Sequence, residues 1–505
     1  MPNEPEPAST HLPTSGLPAD TTNPAKQAPA GGAAAATIAA APASEQGAKG
    51  RGRSRYDYRE VTTGKIPKTL LNLAWPQIAE GVLNVVDQLV DLVWAGRLPG
   101  GFRAVASVGV AQSFTQFSMM ARQGLDQSMR AMIARAVGAR NIPLANHIAL
   151  QAFTLSGIYS LFMLLIGLFL TDVLLNAIGA SAEVKSQTSM YMRVQFIGSA
   201  AIAFRMMSAA ALQAAGEVMV PLKATTVTRS IHIVLTPFLM FGWWGFPALG
   251  LPGAALANIL AQLAGSAINF YALFRGNSSL HLTFRGYRVD YSILWRIITL
   301  GAPACVAGTE RATAQLVLLG LVTPFGDVAL AAYALTRRME MVASFGAMGM
   351  GQAAGIMAGQ NLGARQPDRA RQSVGLALVY ITVLQVAVGS LFMLFPMVFV
   401  VLFTSDANVV ALASVWLRIQ VLAAIFMGLA MVFQQSYNIA GDTLAPMIIT
   451  LLAVWGIELP VAWLLSRTGL GPLGIGYAAI AGMSARLLFY FPYFFWGRWL
   501  RVKVF

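Results

Sequence analysis

The 505-residue chain is 56% apolar and only 11% charged, with a mean hydropathy of +0.61 and a formal net charge of +14. Soluble domains carry about 25% charged residues, so this composition excludes a soluble globular protein and indicates a polytopic membrane protein. The single cysteine, Cys305, excludes an intrachain disulfide and a cysteine-cluster metal site, and the positive balance reads as cytoplasmic anchoring charge rather than as a nucleic-acid surface.

Residues 1–64 are expected to form a disordered cytoplasmic tail. The first 50 are rich in Ala, Pro, Thr, Ser and Gly and cannot bury a core. Residues 49–68 then add Lys49, Arg51, Arg53, Arg55, Arg59, Lys65 and Lys68, a basic segment suited to an anionic inner leaflet. Hydropathy predicts twelve spans: 70–96, 104–134, 145–171, 186–213, 219–242, 251–275, 291–321, 328–358, 371–397, 409–436, 445–466 and 473–497. The expected class is therefore all-α, with six spans in 65–275, a cytoplasmic linker 276–290, and six more in 291–505. An even count puts both termini on one side. Arg135, Arg140, Lys223, Arg275, Arg365, Arg369 and Arg371 join the tail on that side, against Arg97, Arg103, Lys185 and Arg467 on the other. The basic side is expected to be cytoplasmic, in the inner (plasma) membrane.

The first span carries Glu80, Asn84, Asp87 and Asp91 at helical spacing, which places them on one face. Carboxylates at bilayer depth are costly, so this stripe is expected to face a protein interior or a wet cavity and to act in proton or cation coupling. Asp91 is the leading candidate, with Asp87 and Glu80 beside it; the alternative is an ion pair to Arg122 of the second span. Glu310 in the seventh span is expected to line a second-half cavity, against a salt bridge to a neighbouring span. Asp126 after Arg122, and Glu340 after Arg337, have the spacing of structural ion pairs, and Glu458 and Arg486 are expected to neutralise one another. Asn84, Gln112, Gln116 and Gln352 are candidate cavity-lining groups.

A repeat organises the whole. At one constant shift of 225 residues, Pro99 falls on Pro324, Gly138-Ala139-Arg140 on Gly363-Ala364-Arg365, Gly216-Glu217 on Gly441-Asp442, and Pro221 on Pro446. Six spans per repeat give the halves the same orientation, with a cavity between them. In the Gly-Ala-Arg turns, Gly is expected to end the helix and Arg to mark the cytoplasmic side.

With these elements in place, the chain resembles the MATE family, the multidrug and toxic compound extrusion transporters. The matching features are Ala74-Trp75-Pro76, Asp91 to Gly96 and Leu98, Gly138-Ala139, Gly359-Gln360-Asn361-Leu362-Gly363-Ala364, Ala215-Gly216-Glu217 to Pro221, and Ile439-Ala440-Gly441-Asp442-Thr443 to Pro446. The resemblance covers about residues 65 to 500. It implies two six-helix bundles in a V and export of organic, often cationic, compounds driven by H⁺ or Na⁺ entry. The chain departs from the family pattern in its fifth span, which holds Arg229 and His232 but no acid, and in its tenth, which has none.

The leading reading is thus a secondary antiporter for small organic compounds, cationic by expectation, acting as a monomer among membrane lipids with no cofactor beyond H⁺ or Na⁺. The runner-up is a flippase for a lipid-linked precursor, which Arg311, Arg337 and Arg338 would suit. A membrane enzyme is disfavoured: the sequence has no HExxH, GxSxG or P-loop, and His11, His147, His232 and His281 are scattered.

Overall fold

Backbone inside a bilayer has no water to bond, so long apolar segments must satisfy their own N–H and C=O groups, and here they do so as helices. The computed structural model describes residues 59–98, 101–177, 182–276 and 278–505. After a short helix, Arg59–Thr63, the twelve spans follow in the expected order. In the first half, span 1 is Ile66–Gly96, span 2 Gly101–Gly138, span 3 Ile142–Leu165 continued to Ala177, span 4 Ala182–Ile197 plus Ser199–Ala214, span 5 Met219–Phe241 and span 6 Leu251–Arg275. In the second, span 7 is Tyr291–Val322, span 8 Asp327–Gly363, span 9 Pro367–Leu394, span 10 Ala407–Ala440, span 11 Leu444–Ala453 continued to Ser466, and span 12 Leu473–Trp496.

Three spans are less regular than their hydropathy suggested. Span 4 bends by 43° at Gly198, whose Cα faces the Ile259 side chain. Spans 3 and 11 each pass through a π-helical turn, at Ile166–Leu170 and Val454–Glu458. Among the described residues, eight helices are long and apolar enough to cross a membrane, or nine with the bent pair. The three that fall short are spans 1, 2 and 5. These carry several of the buried ionisable groups, among them Asp87, Arg122, Asp126, Arg130 and His232.

The internal repeat is visible in the backbone. Arg140 and Arg365 both sit at φ 60, and Gly216 and Gly441 at φ 94 and φ 100. The N–H of Asn141 bonds Ala136 O and that of Gln366 bonds Asn361 O, again at the same shift. As expected, Gly138 and Gly363 are the last residues of their helices, and the arginines two positions later adopt the left-handed conformation. The glycines permit a close crossing of spans 2 and 8. A Cβ on Gly138 would lie 1.9 Å from Gln360 O, and one on Gly363 would lie 2.2 Å from Arg135 O.

The two halves exchange their first helices at this end. Leu70, Leu73 and Ala74 of span 1 are buried in a core with Met350, Ala353 and Met357 of span 8 and Ala370 and Val374 of span 9. Reciprocally, span 7 packs on span 2: Gly301 meets Gly124, and Ile297 joins the first-half core with Met132 and Ile148. The C-terminal segment closes the junction. Arg135 donates to Val502 O and Ala440 O, and Arg296 donates to Val504 O. Every cross-half contact named here lies in the portion of the spans nearest Gly138 and Gly363.

Gly138→Ala is expected to lower the thermal midpoint in detergent, since overpacking costs about 1–3 kcal/mol. Gly375→Ala, where nothing lies within 4 Å of the added methyl, should hold the midpoint or raise it by about 0.5–1 kcal/mol. Equal losses in the two variants would show that the crossing is not tight.

Candidate functional site

Helical spacing puts Glu80, Asn84, Asp87 and Asp91 on one face of span 1, and the structure turns that face toward spans 2, 4 and 5. The face does not open on a single chamber. Toward the Gly96 end it lines a cavity of about 230 Å³, walled by Asn84, Asp87, Asp91, Arg229, Tyr159 and Tyr191 among others. Toward the helix middle it lines a second, of about 140 Å³, between Glu80, Asn84, Arg130, Arg205 and Gln213 of the first half and Gln352 of the second.

In the larger of these cavities, Asp87 is 4% exposed and holds two cations' worth of donors. Arg229 Nη1 donates to its Oδ2 at 2.6 Å, and His232 Nδ1 stands 2.8 Å from its Oδ1. Arg229 Nε also donates to Asn84 Oδ1 at 3.0 Å. The other imidazole nitrogen, Nε2, lies 3.5 Å from Asp91 Oδ1. His232 therefore bridges two carboxylates, one on each ring nitrogen. A neutral imidazole has one N–H and one lone pair, so it suits two ionised carboxylates poorly. The arrangement needs one further proton, on the ring or on an acid. Asp87, Asp91 and His232 each bring a ligand atom within 4.8 Å of the others, which suits a small cation as well.

Around the smaller cavity, Glu80 accepts from Gln213 Nε2 at 3.2 Å on both oxygens, and Gln213 in turn accepts from Arg130 Nη1 at 2.6 Å. Arg205 donates to Gln262, and to Thr225 Oγ1 at 3.3 Å. Arg122 does not reach the stripe's acids. It pairs with Asp126 at 3.0 Å, four residues on, as the spacing predicts.

The second half holds a cavity of about 400 Å³. Arg337 pairs with Glu340 at 2.6 Å across its wall, as expected, and Gln420 Nε2 also donates to Glu340 at 3.1 Å. Glu458 and Arg486 both line this cavity but form no ion pair within 4.0 Å among the described residues, contrary to the expected neutralisation. Glu310 is 6% exposed and neither of its oxygens is hydrogen-bonded among the described residues. It is not among the residues lining the cavity, whereas Arg311 is, because neighbours on a helix point apart. Gln112 and Gln116 belong to span 2, with side chains outside the described residues.

Sequence reasoning missed Arg130, Arg205 and Gln213, and saw His232 only as a scattered histidine and, with Arg229, as a basic departure in the fifth span. A signal existed for two of them. Arg122, Asp126 and Arg130 repeat every four residues along span 2, and Thr225, Arg229, His232 and Thr236 follow one face of span 5.

Comparison with known proteins fits this geometry. Relatives include the probable multidrug resistance protein NorM of Thermotoga maritima, 26% identical over 437 residues, covering 86% of this chain and 93% of that protein. The probable multidrug resistance protein YoeA of Bacillus subtilis is 27% identical over 435 residues, covering 83% and 92%. A solved structure described as the outward-facing conformation of a multidrug resistance MATE family transporter of the MOP superfamily has the same fold, with a TM-score of 0.80 over 87% of this chain and 96% of that one, at 22% identity. The MatE family model matches residues 76–238 and 303–464, one stretch in each repeat. With both repeats matched in a twelve-helix fold, the chain belongs to the MatE family.

Proposed function

We propose that this protein is a secondary active exporter of organic compounds that exchanges them for protons by alternating access of its two halves. The relatives named as multidrug resistance proteins support the export of organic compounds. The observation that carries the coupling is the Asp87–His232–Asp91 group beside Arg229, facing a cavity in the first half.

The group can trade one proton without moving a backbone atom. With both acids ionised, a protonated imidazole donates to Asp87 and faces Asp91 across 3.5 Å. A proton on Asp91, whose side chain is 33% exposed while that of Asp87 is 6% exposed, removes one of those two attractions. That change weakens the tie between span 1 and span 5, the elements that carry the two partners. A bistable pair of halves needs only such a differential interaction to shift its populations. Sodium is the alternative coupling ion, since the same three ligands would suit it. The imidazole favours the proton because each of its nitrogens already faces a carboxylate.

The expectation of a cationic cargo rested on an uncompensated run of acids. Arg229, Arg130 and Arg205 now stand against Asp87, Asp91 and Glu80, so the stripe lacks the strong negative balance that would select a cationic drug. The coupling ion is its natural occupant. The proposed setting is the inner (plasma) membrane, with residues 65–275 and 291–505 as the two halves, 276–290 as a cytoplasmic link and both termini inside.

A reporter fused after Phe505 is therefore expected to be active only on the cytoplasmic side; labelling from outside would refute this orientation. In proteoliposomes, an imposed pH gradient should drive export, and Asp91→Asn and His232→Gln should each abolish it while leaving expression near normal. Asp126→Asn should instead destabilise the fold by roughly 3 kcal/mol by stranding buried Arg122. Export driven by a Na⁺ gradient alone would replace the proton with sodium.

A further inference from the structure

We propose that the second-half cavity binds an amphiphilic organic anion, with its acidic group on Arg486 and Arg311. This deepens the exporter reading by assigning its cargo a charge class, and so rests on it. The cavity of about 400 Å³ is of drug-ligand size. Four arginines line it, Arg311, Arg337, Arg338 and Arg486, against two glutamates, Glu340 and Glu458. Arg337 is committed to Glu340. Arg311 donates to a neutral partner, Gln434 Oε1, at 3.1 Å.

Arg486 is the decisive residue. It lies midway along span 12 and is 5% exposed, yet its Nε has no hydrogen-bond partner and no carboxylate lies within 4.0 Å among the described residues. Buried arginines at membrane depth ordinarily hold a counter-charge. Glu458 shares the wall and Glu310 lies behind it beside Arg311, but three arginines uncommitted to a salt bridge still outnumber these two acids. A ligand anion in the cavity supplies the further negative charge that these arginines lack. Met341, Met427, Met431 and Met483 line the same cavity. Flexible thioethers accommodate varied apolar bodies. The combination selects an acidic head on an apolar frame, and it lies apart from the first-half coupling group, so ion and cargo need not share a site.

The test compares fluorescein, an anion, with rhodamine 6G, a cation on the same ring system. Binding to the full chain in phosphatidylcholine nanodiscs is read by fluorescence anisotropy, with no gradient present. Fluorescein should bind more tightly than rhodamine 6G. Arg486→Gln should weaken fluorescein by at least about tenfold, as loss of one charge-assisted hydrogen bond requires, and change rhodamine 6G by less than about twofold. Glu458→Gln should strengthen fluorescein, a gain that misfolding does not produce. Preference for rhodamine 6G, or fluorescein binding indifferent to both substitutions, overturns the proposal. Nanodiscs containing phosphatidylglycerol separate the sources of the anion: unchanged fluorescein binding assigns the site to soluble anions, and its loss, restored in pure phosphatidylcholine, replaces them with a lipid headgroup on the same arginines. Anion binding that persists where no gradient moves the dye would sink the exporter reading and leave the site standing.

Discussion

A charge held at mid-membrane depth must be met by another charge or by several hydrogen bonds, and the contact of Asp87 with Arg229 and His232 shows how this constraint arranges the first half. Span 1 cannot bury its acids against an apolar neighbour, so it must face the basic side of span 5. Span 5 likewise cannot leave Arg229 in lipid. The same reasoning ties Glu80 through Gln213 to Arg130, and Arg122 to Asp126. Of the three spans too polar to qualify as membrane helices alone, spans 1 and 5 pair their charges directly, whereas span 2 reaches Glu80 only through Gln213 of span 4.

The second half repeats the backbone but not the charge. Turns at Arg140 and Arg365, and at Gly216 and Gly441, have matching φ and matching hydrogen bonds. The polar side chains between them have diverged. The first half compensates its acids with arginines at short range and retains an imidazole that can change protonation. The second half places Arg486, which forms no close ion pair among the described residues, beside a wide, methionine-lined cavity. Two copies of one scaffold thus offer different chemistry on either side of the pseudo-symmetry axis, which is a basis for separating ion from cargo.

The fold was legible because its signals are redundant along the chain. Hydropathy marks the spans, and the constant shift between repeats ties span to span without any knowledge of contacts. Sequence-local ion pairs, Arg122–Asp126 and Arg337–Glu340, were legible for the same reason, since helical geometry alone brings them together. What was not legible came from distance. Arg229 and Gln213 lie more than a hundred residues from the acids they meet, and no spacing rule spans that gap. The stripe on span 1 was read correctly as a face, yet its division into two cavities depends on which side chains of spans 2, 4 and 5 intrude. Gly138 and Gly363 were legible as helix ends but not as a close crossing, because only the neighbour across the junction shows which use of glycine, left-handed backbone or close approach, applies.

The exchange of first helices gives the coupling group its leverage. Span 1 begins in the core of the second half, at Leu70 and Leu73, and reaches the first-half cavity at Asp87 and Asp91. It is thereby rooted in one half and charge-paired to the other. In the proposed proton exchange, a proton that alters the pairing with His232 would act on the element that joins the halves. The tight crossing at Gly138 and Gly363 fixes the other end, because glycine contacts at near-backbone distance leave little room for sliding. If the proposed proton exchange operates, one helix would link local protonation to the two halves, since span 1 is packed in the core of one half and charge-paired to the other.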